Sequence, residues 1–174
     1  LSDFKKINKA SKMFLFDILE GKKKEYLLPN DMKVIKSGEA KGKLIGGNIH
    51  LSNSLLGTKY SPNYNKKIWF WEEIGECPAS LDQKLNQFKL SQNLKNISAM
   101  VIGKLADCAD KKHKEDNRPI EDIVLDLTRE YNFPIIQVSC FGHNISNFYT
   151  FPIGVDLKIN TKNNEFKIIE NPVL

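Results

Sequence analysis

The sequence holds only three cysteines, Cys77, Cys108 and Cys140, among 174 residues. So sparse and odd a set argues against a disulfide framework and for a reducing compartment. No apolar run approaches the ~18 residues that a membrane-crossing helix needs, and no secretory signal opens the chain. The expectation is a cytoplasmic protein with no membrane partner. An excess of one charge is missing too: 26 basic residues stand against 21 acidic ones, a net +5. The basic residues are scattered apart from Lys22-Lys23-Lys24 and the Lys111-Lys112-His113-Lys114 stretch. No basic stripe is interleaved with aromatics, so nucleic acid is not an expected partner. The sequons at Asn96 and Asn144 carry no weight without a secretory signal. GxGxxG, a Walker lysine and a GxSxG elbow are all absent, as are internal repeats.

What is present is the composition of one globular domain, 41% hydrophobic and 27% charged, long enough to bury a core without disulfides. Phe4, Ile7, Ala10, Met13, Phe14 and Ile18 recur near helical spacing over Ser2 to Leu19, with Ser2 or Asp3 as N-cap. Val34-Ile35 and Leu44-Ile45 read as short strands around a turn-rich SGEAKGK, and Gly46-Gly47-Asn48 as a break where a ligand or another backbone comes close. A short helix is expected over Leu51 to Leu56 and a buried strand over Lys67 to Trp71. Leu81, Leu85, Phe88 and Leu90 stripe a helix after Pro78. Ser98 to Gly103 forms a strand, Asp107 to Arg118 a charged loop, and Pro119 opens a helix through about Glu130. Phe133 to Ser139 is a further buried strand. Phe151 to Ile159 and Glu165 to Ile169 alternate as a hairpin about Asn163-Asn164. The pattern is a mixed α/β domain.

Two stretches draw chemical attention. In IWFWEEIGE the apolar run Ile68 to Trp71 meets Glu72 and Glu73, then Gly75 and Glu76. A carboxylate at the edge of an apolar run is costly unless something pairs with it. Cys140-Phe141-Gly142-His143 follows the strand PIIQVS, which places a histidine at a second strand end. Imidazole suits proton transfer near neutral pH, and it needs a carboxylate to fix its tautomer. Three further readings stand beside this one. Cys108, His113, Cys140 and His143 have the ligand types of a zinc site without a familiar spacing. Cys140 is either a nucleophile with His143 as its base, or a small buried apolar side chain. Glu72 and Glu73 are either a site or simply exposed beyond the strand.

In order along the chain, GEAKGKLIGGN, IWFWEEIGE, ASLDQKLNQFKLSQ, ISAMVIGKLADC and FGHNISNFYTFPIGV resemble the C-terminal domain of the serine L,D-carboxypeptidases, a family that includes the microcin-immunity peptidases. The resemblance covers nearly the whole chain. It implies a mixed β-sheet with flanking helices, of the swivelling β/β/α kind, and a Ser-His-Glu triad that needs no cofactor or metal. Glu72 and His143 match the catalytic Glu and His, Glu73 stands behind them where members often carry Asp, and Asn48, in the GGN motif near the family's site, is given a structural or substrate-binding role. Glu76 falls on a commonly acidic position. The nucleophilic serine belongs to an N-terminal domain, so residues 1–174 are expected to be the C-terminal half of a two-domain enzyme. The start at Leu1 rather than Met fits that expectation, and the chain alone should be inactive. The implied substrates are L,D-peptide bonds of murein peptides or peptidyl-nucleotide conjugates, and a homodimer is implied as well. Trp69 and Trp71 depart from the family's usual aliphatics, and Cys77 from a common proline. The long Asp107 to Arg118 loop resembles the microcin-immunity branch, whereas Phe141-Gly142 leans toward the murein enzymes. The rivals are a non-catalytic binding module of the same fold and a zinc-dependent hydrolase.

Overall fold

The computed structural model describes residues 7–22, 25–28 and 31–173. Helix α1 (Lys9–Leu19) is followed by strands β1 (Tyr26–Leu27), β2 (Lys33–Lys36) and β3 (Glu39–Asn48), helix α2 (Ile49–Ser54) and strand β4 (Ile68–Ile74). Then come α3 (Pro78–Leu90), β5 (Ala99–Ala106), a 3-10 turn (Lys114–Asp116), α4 (Ile120–Leu127), β6 (Ile135–Gly142), β7 (Asp156–Asn160) and β8 (Glu165–Ile168). The strands form one sheet in the order β1-β8-β7-β3-β4-β5-β6-β2. Its centre, β3 to β6, is parallel, and its margins are antiparallel. This is the mixed α/β architecture that the alternation of strands and helices predicts.

Strand β3 joins the two halves. Its first residues pair antiparallel with β7, Glu39 opposite Asn160 through Lys43 opposite Asp156. Its last pair parallel with β4, Leu44 opposite Ile68 through Asn48 opposite Glu72. Two expectations are corrected here. The lysine- and glycine-rich stretch is strand rather than turn, and Gly46-Gly47-Asn48 continues the strand instead of breaking it. Pairing, with β7 along the first half and with β4 along the second, overrides the weak intrinsic strand preference of these residues. The expectation of a close backbone holds for Gly46, where a Cβ would lie 1.7 Å from the Phe70 carbonyl oxygen. At Gly47 a Cβ would meet nothing within 4 Å.

Alternation along the central strands builds a core on each face. Ile68, Phe70, Val101, Ile136 and Val138 pack with Leu157, Ile159, Phe166 and Ile168 of the hairpin. Trp69, Trp71, Met100, Ile102 and Ile135 pack beneath Leu81, Leu85 and Phe88 of α3 and Ile123 and Val124 of α4. The two tryptophans are large because they fill this second layer. The Trp69 ring lies 4.3 Å from Phe88 and 6.1 Å from Trp71, centroid to centroid. Neither indole N–H has a hydrogen-bond partner among the described residues. An unmet buried donor costs about 1–3 kcal/mol, which the large aromatic area buried here offsets.

Most element boundaries move by a few residues. The cap expected at Ser2 or Asp3 lies outside the described residues, and the Asn8 side chain caps α1 by accepting from Ser11 N. Pro119 takes the N-cap position of α4, which ends at Leu127 rather than near Glu130. The hairpin turn holds, with Asn164 left-handed at φ 50°. Strand β1 pairs with β8 over two residues, too few to leave a pattern in the sequence. The shifts that matter for the site are two. Strand β4 runs on to Ile74, and β6 runs on to Gly142.

Candidate active site

Because β4 continues, Glu72 and Glu73 lie inside a strand rather than beyond its end, and both are buried, at 8% and 3% exposure. The register with β5 shifts between Trp71 and Glu73, and each carboxylate must find partners where water is excluded.

Glu72 finds His143. Its Oε2 lies 2.7 Å from His143 Nδ1. A carboxylate oxygen accepts, so Nδ1 donates and carries the proton, which leaves Nε2 as the ring's acceptor. Nε2 has no hydrogen-bond partner among the described residues, and 49% of the His143 side chain is exposed against 10% for Glu72. One end of the pair is therefore fixed in the protein and the other open to the surface. The turn that presents His143 is built by its neighbours, Gly142 at φ 119° and Asn144 at φ 54°. A Cβ on Gly142 would lie 2.9 Å from the Lys104 carbonyl oxygen, so a side chain there would push β5 and β6 apart.

Glu73 finds the start of α2. Its carboxylate accepts from Asn48 Nδ2 at 2.7 Å, His50 N at 3.1 Å and Ile74 N at 2.9 Å. Asn48 is brought to the same place, where it also reaches Glu72 Oε1 at 3.4 Å and caps α2 through Leu51 N at 3.1 Å. Its amide thus links both carboxylates to the helix. Glu76 lies 3.1 Å from Lys84 Nζ and 3.7 Å from His50 Nδ1. Its carboxyl is held below the usual range, first by the Ser80 hydrogen bond and then by Lys84, with burial opposing. No local pattern pointed to His50, Ser80 or Lys84 here, because folding alone brings α2 and α3 to the end of β4.

The four residues of the zinc reading are not brought together. Among the described residues no group of three or more His, Cys, Asp and Glu is placed to hold a metal ion. His143 is turned to Glu72, His113 lies 3.6 Å from Asp110, and Cys108 Sγ donates to the Ala106 carbonyl at 3.3 Å.

Cys140 belongs to the core beneath the hairpin. Burial, with Asp31 adding to it, pushes its thiol up to about 12. A thiol three units above its ordinary value carries about a thousandfold less thiolate near neutrality. In the folded protein, iodoacetamide at pH 8 should therefore modify partly exposed Cys77 and leave Cys140 untouched, as read by peptide mass mapping. Equal labelling of the two would contradict the buried, inert reading.

Comparisons with known proteins identify the family. The profile of the LD-carboxypeptidase C-terminal domain matches residues 41–159, a span that includes Asn48, Glu72 and His143. A probable murein peptide carboxypeptidase of Bacillus subtilis (strain 168) is 30% identical over 161 residues, which is 92% of this chain and 49% of the relative. The microcin C7 self-immunity protein MccF of Escherichia coli is 29% identical over 147 residues, 83% of this chain and 41% of MccF. MccF solved in complex with glutamyl sulfamoyl guanosine shares the fold, with a TM-score of 0.73 at 23% identity over 86% of this chain and 44% of that one. An MccF-like protein from Bacillus anthracis str. Ames superposes with a TM-score of 0.66 at 31% identity, over 80% of this chain and 43% of that one. The chain spans about half the length of the curated relatives it matches.

Proposed function

This chain belongs to the LD-carboxypeptidase family, as its C-terminal domain, and from that premise we propose that it supplies the Glu and His of a Ser-His-Glu triad. The observation that carries the reading is the 2.7 Å contact of His143 Nδ1 with Glu72, which leaves Nε2 without a partner among the described residues on a half-exposed ring. Nε2 takes the proton of a serine hydroxyl as the serine attacks the scissile carbonyl. It then gives that proton to the leaving amine, and the acyl-enzyme is hydrolysed by water activated in the same way. Glu72 holds the ring in the productive tautomer and stabilises its charged form. Glu73 and Asn48 fix the backbone and carboxylate around Glu72.

The serine comes from an N-terminal domain that precedes residues 1–174 in the intact protein, so these residues alone do not turn over substrate. The substrates we propose are murein peptides ending in an L,D-bond, by likeness to the Bacillus subtilis relative, or peptidyl-nucleotide conjugates, by likeness to MccF. The compartment is the cytoplasm, in keeping with three free cysteines. No helix among the described residues is long and apolar enough to cross a membrane.

The test is hydrolysis by the intact protein, offered a murein tetrapeptide beside an aminoacyl sulfamoyl-adenylate. Release of the terminal D-residue or of the sulfamoyl nucleoside decides the substrate class. Release of neither contradicts the reading.

A further inference from the structure

Lys104 sits on β5 opposite Gly142, the residue before His143. Its ammonium donates to the carbonyl of Asn144, the residue after His143. The backbone of Lys104 thus lies against one side of the turn that presents the imidazole, and its ammonium holds the other. Lys104 differs from seven other lysines of this chain in its partners. Lys22, Lys33, Lys43, Lys84, Lys89, Lys158 and Lys167 each meet a carboxylate within 4 Å. Lys104 meets none among the described residues, and one neutral carbonyl leaves two of its three donors unused.

Beside it lies a cavity of about 590 Å³, lined by Lys104, Asn144, Ser146, Phe14, Tyr149 and Asp31 among others. The Asp31 carboxylate is engaged by Ser139, accepting from its hydroxyl and from its backbone N–H at 3.1 Å. It makes no ion pair with Lys104 within 4 Å among the described residues. The space beside the turn that follows His143 thus offers an ammonium with free donors, an asparagine amide and apolar walls.

An enzyme that removes one C-terminal residue must distinguish a chain end from a chain interior. The mark of the end is the free α-carboxylate, one residue, about 3.8 Å of chain, from the bond that breaks. We propose that Lys104 is the receptor for that α-carboxylate, and that the cavity beside it accepts the leaving residue. This rests on the carboxypeptidase reading above. It makes Lys104 a specificity-determining residue, which ties exopeptidase selectivity to the same β5–β6 end that carries His143.

The experiment compares an L,D-tetrapeptide with its C-terminal carboxamide, using the intact protein as wild type, Lys104→Met and Lys104→Arg. A charge-assisted hydrogen bond to the substrate sets an acid-to-amide ratio in kcat/KM of about 10- to 100-fold. The ratio should fall to near one in Lys104→Met and be largely restored in Lys104→Arg. A lysine that merely braces the His143 turn would lower both substrates equally and leave the ratio unchanged, and that result overturns the proposal.

A second arm does not depend on the triad. The 174-residue chain is titrated with N-acetyl-D-alanine or N-acetyl-D-alaninamide while the Lys104 ε-carbon is followed by NMR, assigned through Lys104→Met. A saturable shift with the acid and none with the amide keeps the subsite even in a protein that hydrolyses neither peptide, and then only the catalytic reading fails. No shift with the acid in such a protein overturns the proposal.

Discussion

Replacing His143 by alanine in the intact protein should lower kcat by about ten-thousandfold to a millionfold with little change in KM, because the lost group acts in the transition state. Glu72→Gln should cost about ten-thousandfold while keeping the shape of the site. An amide at that position presents a donor as well as an acceptor, so it no longer dictates which ring nitrogen holds the proton. The double variant should be little worse than His143→Ala alone, since the two groups act as one unit. Steady-state hydrolysis of the preferred peptide, with circular dichroism to confirm folding, checks all three. A binding module with an incidental Glu-His contact would show equal rates, or none, in every variant.

Gly46→Ala should be the most damaging single-methyl change in the chain. The alanine Cβ would lie 1.7 Å from the Phe70 carbonyl oxygen, in a backbone at φ 143°. Relief requires β3 and β4 to separate at the register that aligns Asn48 with Glu72. The cost should be about 4 kcal/mol or more, the sum of backbone strain and a steric clash that no rotamer relieves. Gly47→Ala is the matched control. It bears similar strain at φ 147° and meets nothing within 4 Å, so it should lose only about 1–3 kcal/mol. Urea midpoints of the 174-residue chain measure both. A Gly46→Ala protein no less stable than Gly47→Ala would contradict the close approach of the two strands.

These two glycines also show where the sequence could be read and where it could not. That some backbone comes close at Gly46 was legible, because glycine in a strand pattern has few other reasons. That the glycines continue a strand was not, since the pairing that holds them comes from Phe70 and Trp71, more than twenty residues on. Glu72 and His143 stood out because a carboxylate in an apolar run and a histidine past a glycine are both costly or idle without a partner. Their distance could come only from the fold. The α2 cradle around Glu73 left no local trace, because His50 contributes a backbone N–H, which any residue offers. Lys104 was hidden for a different reason. The expected strand stopped at Gly103, so Lys104 fell outside it. The glycine is there because the Phe141 ring covers it, 2.5 Å from where a Cβ would be, and the strand runs on through Lys104 to Ala106.

The central claim is that Glu72 fixes the tautomer of His143 so that Nε2 is left as the base. It is tested most directly on this chain by nitrogen NMR of the imidazole near neutral pH. The account predicts a protonated Nδ1 hydrogen-bonded to Glu72 and an Nε2 with a free lone pair, with mixed tautomers in Glu72→Gln. A proton on Nε2 with a bare Nδ1 in the wild-type chain would contradict it.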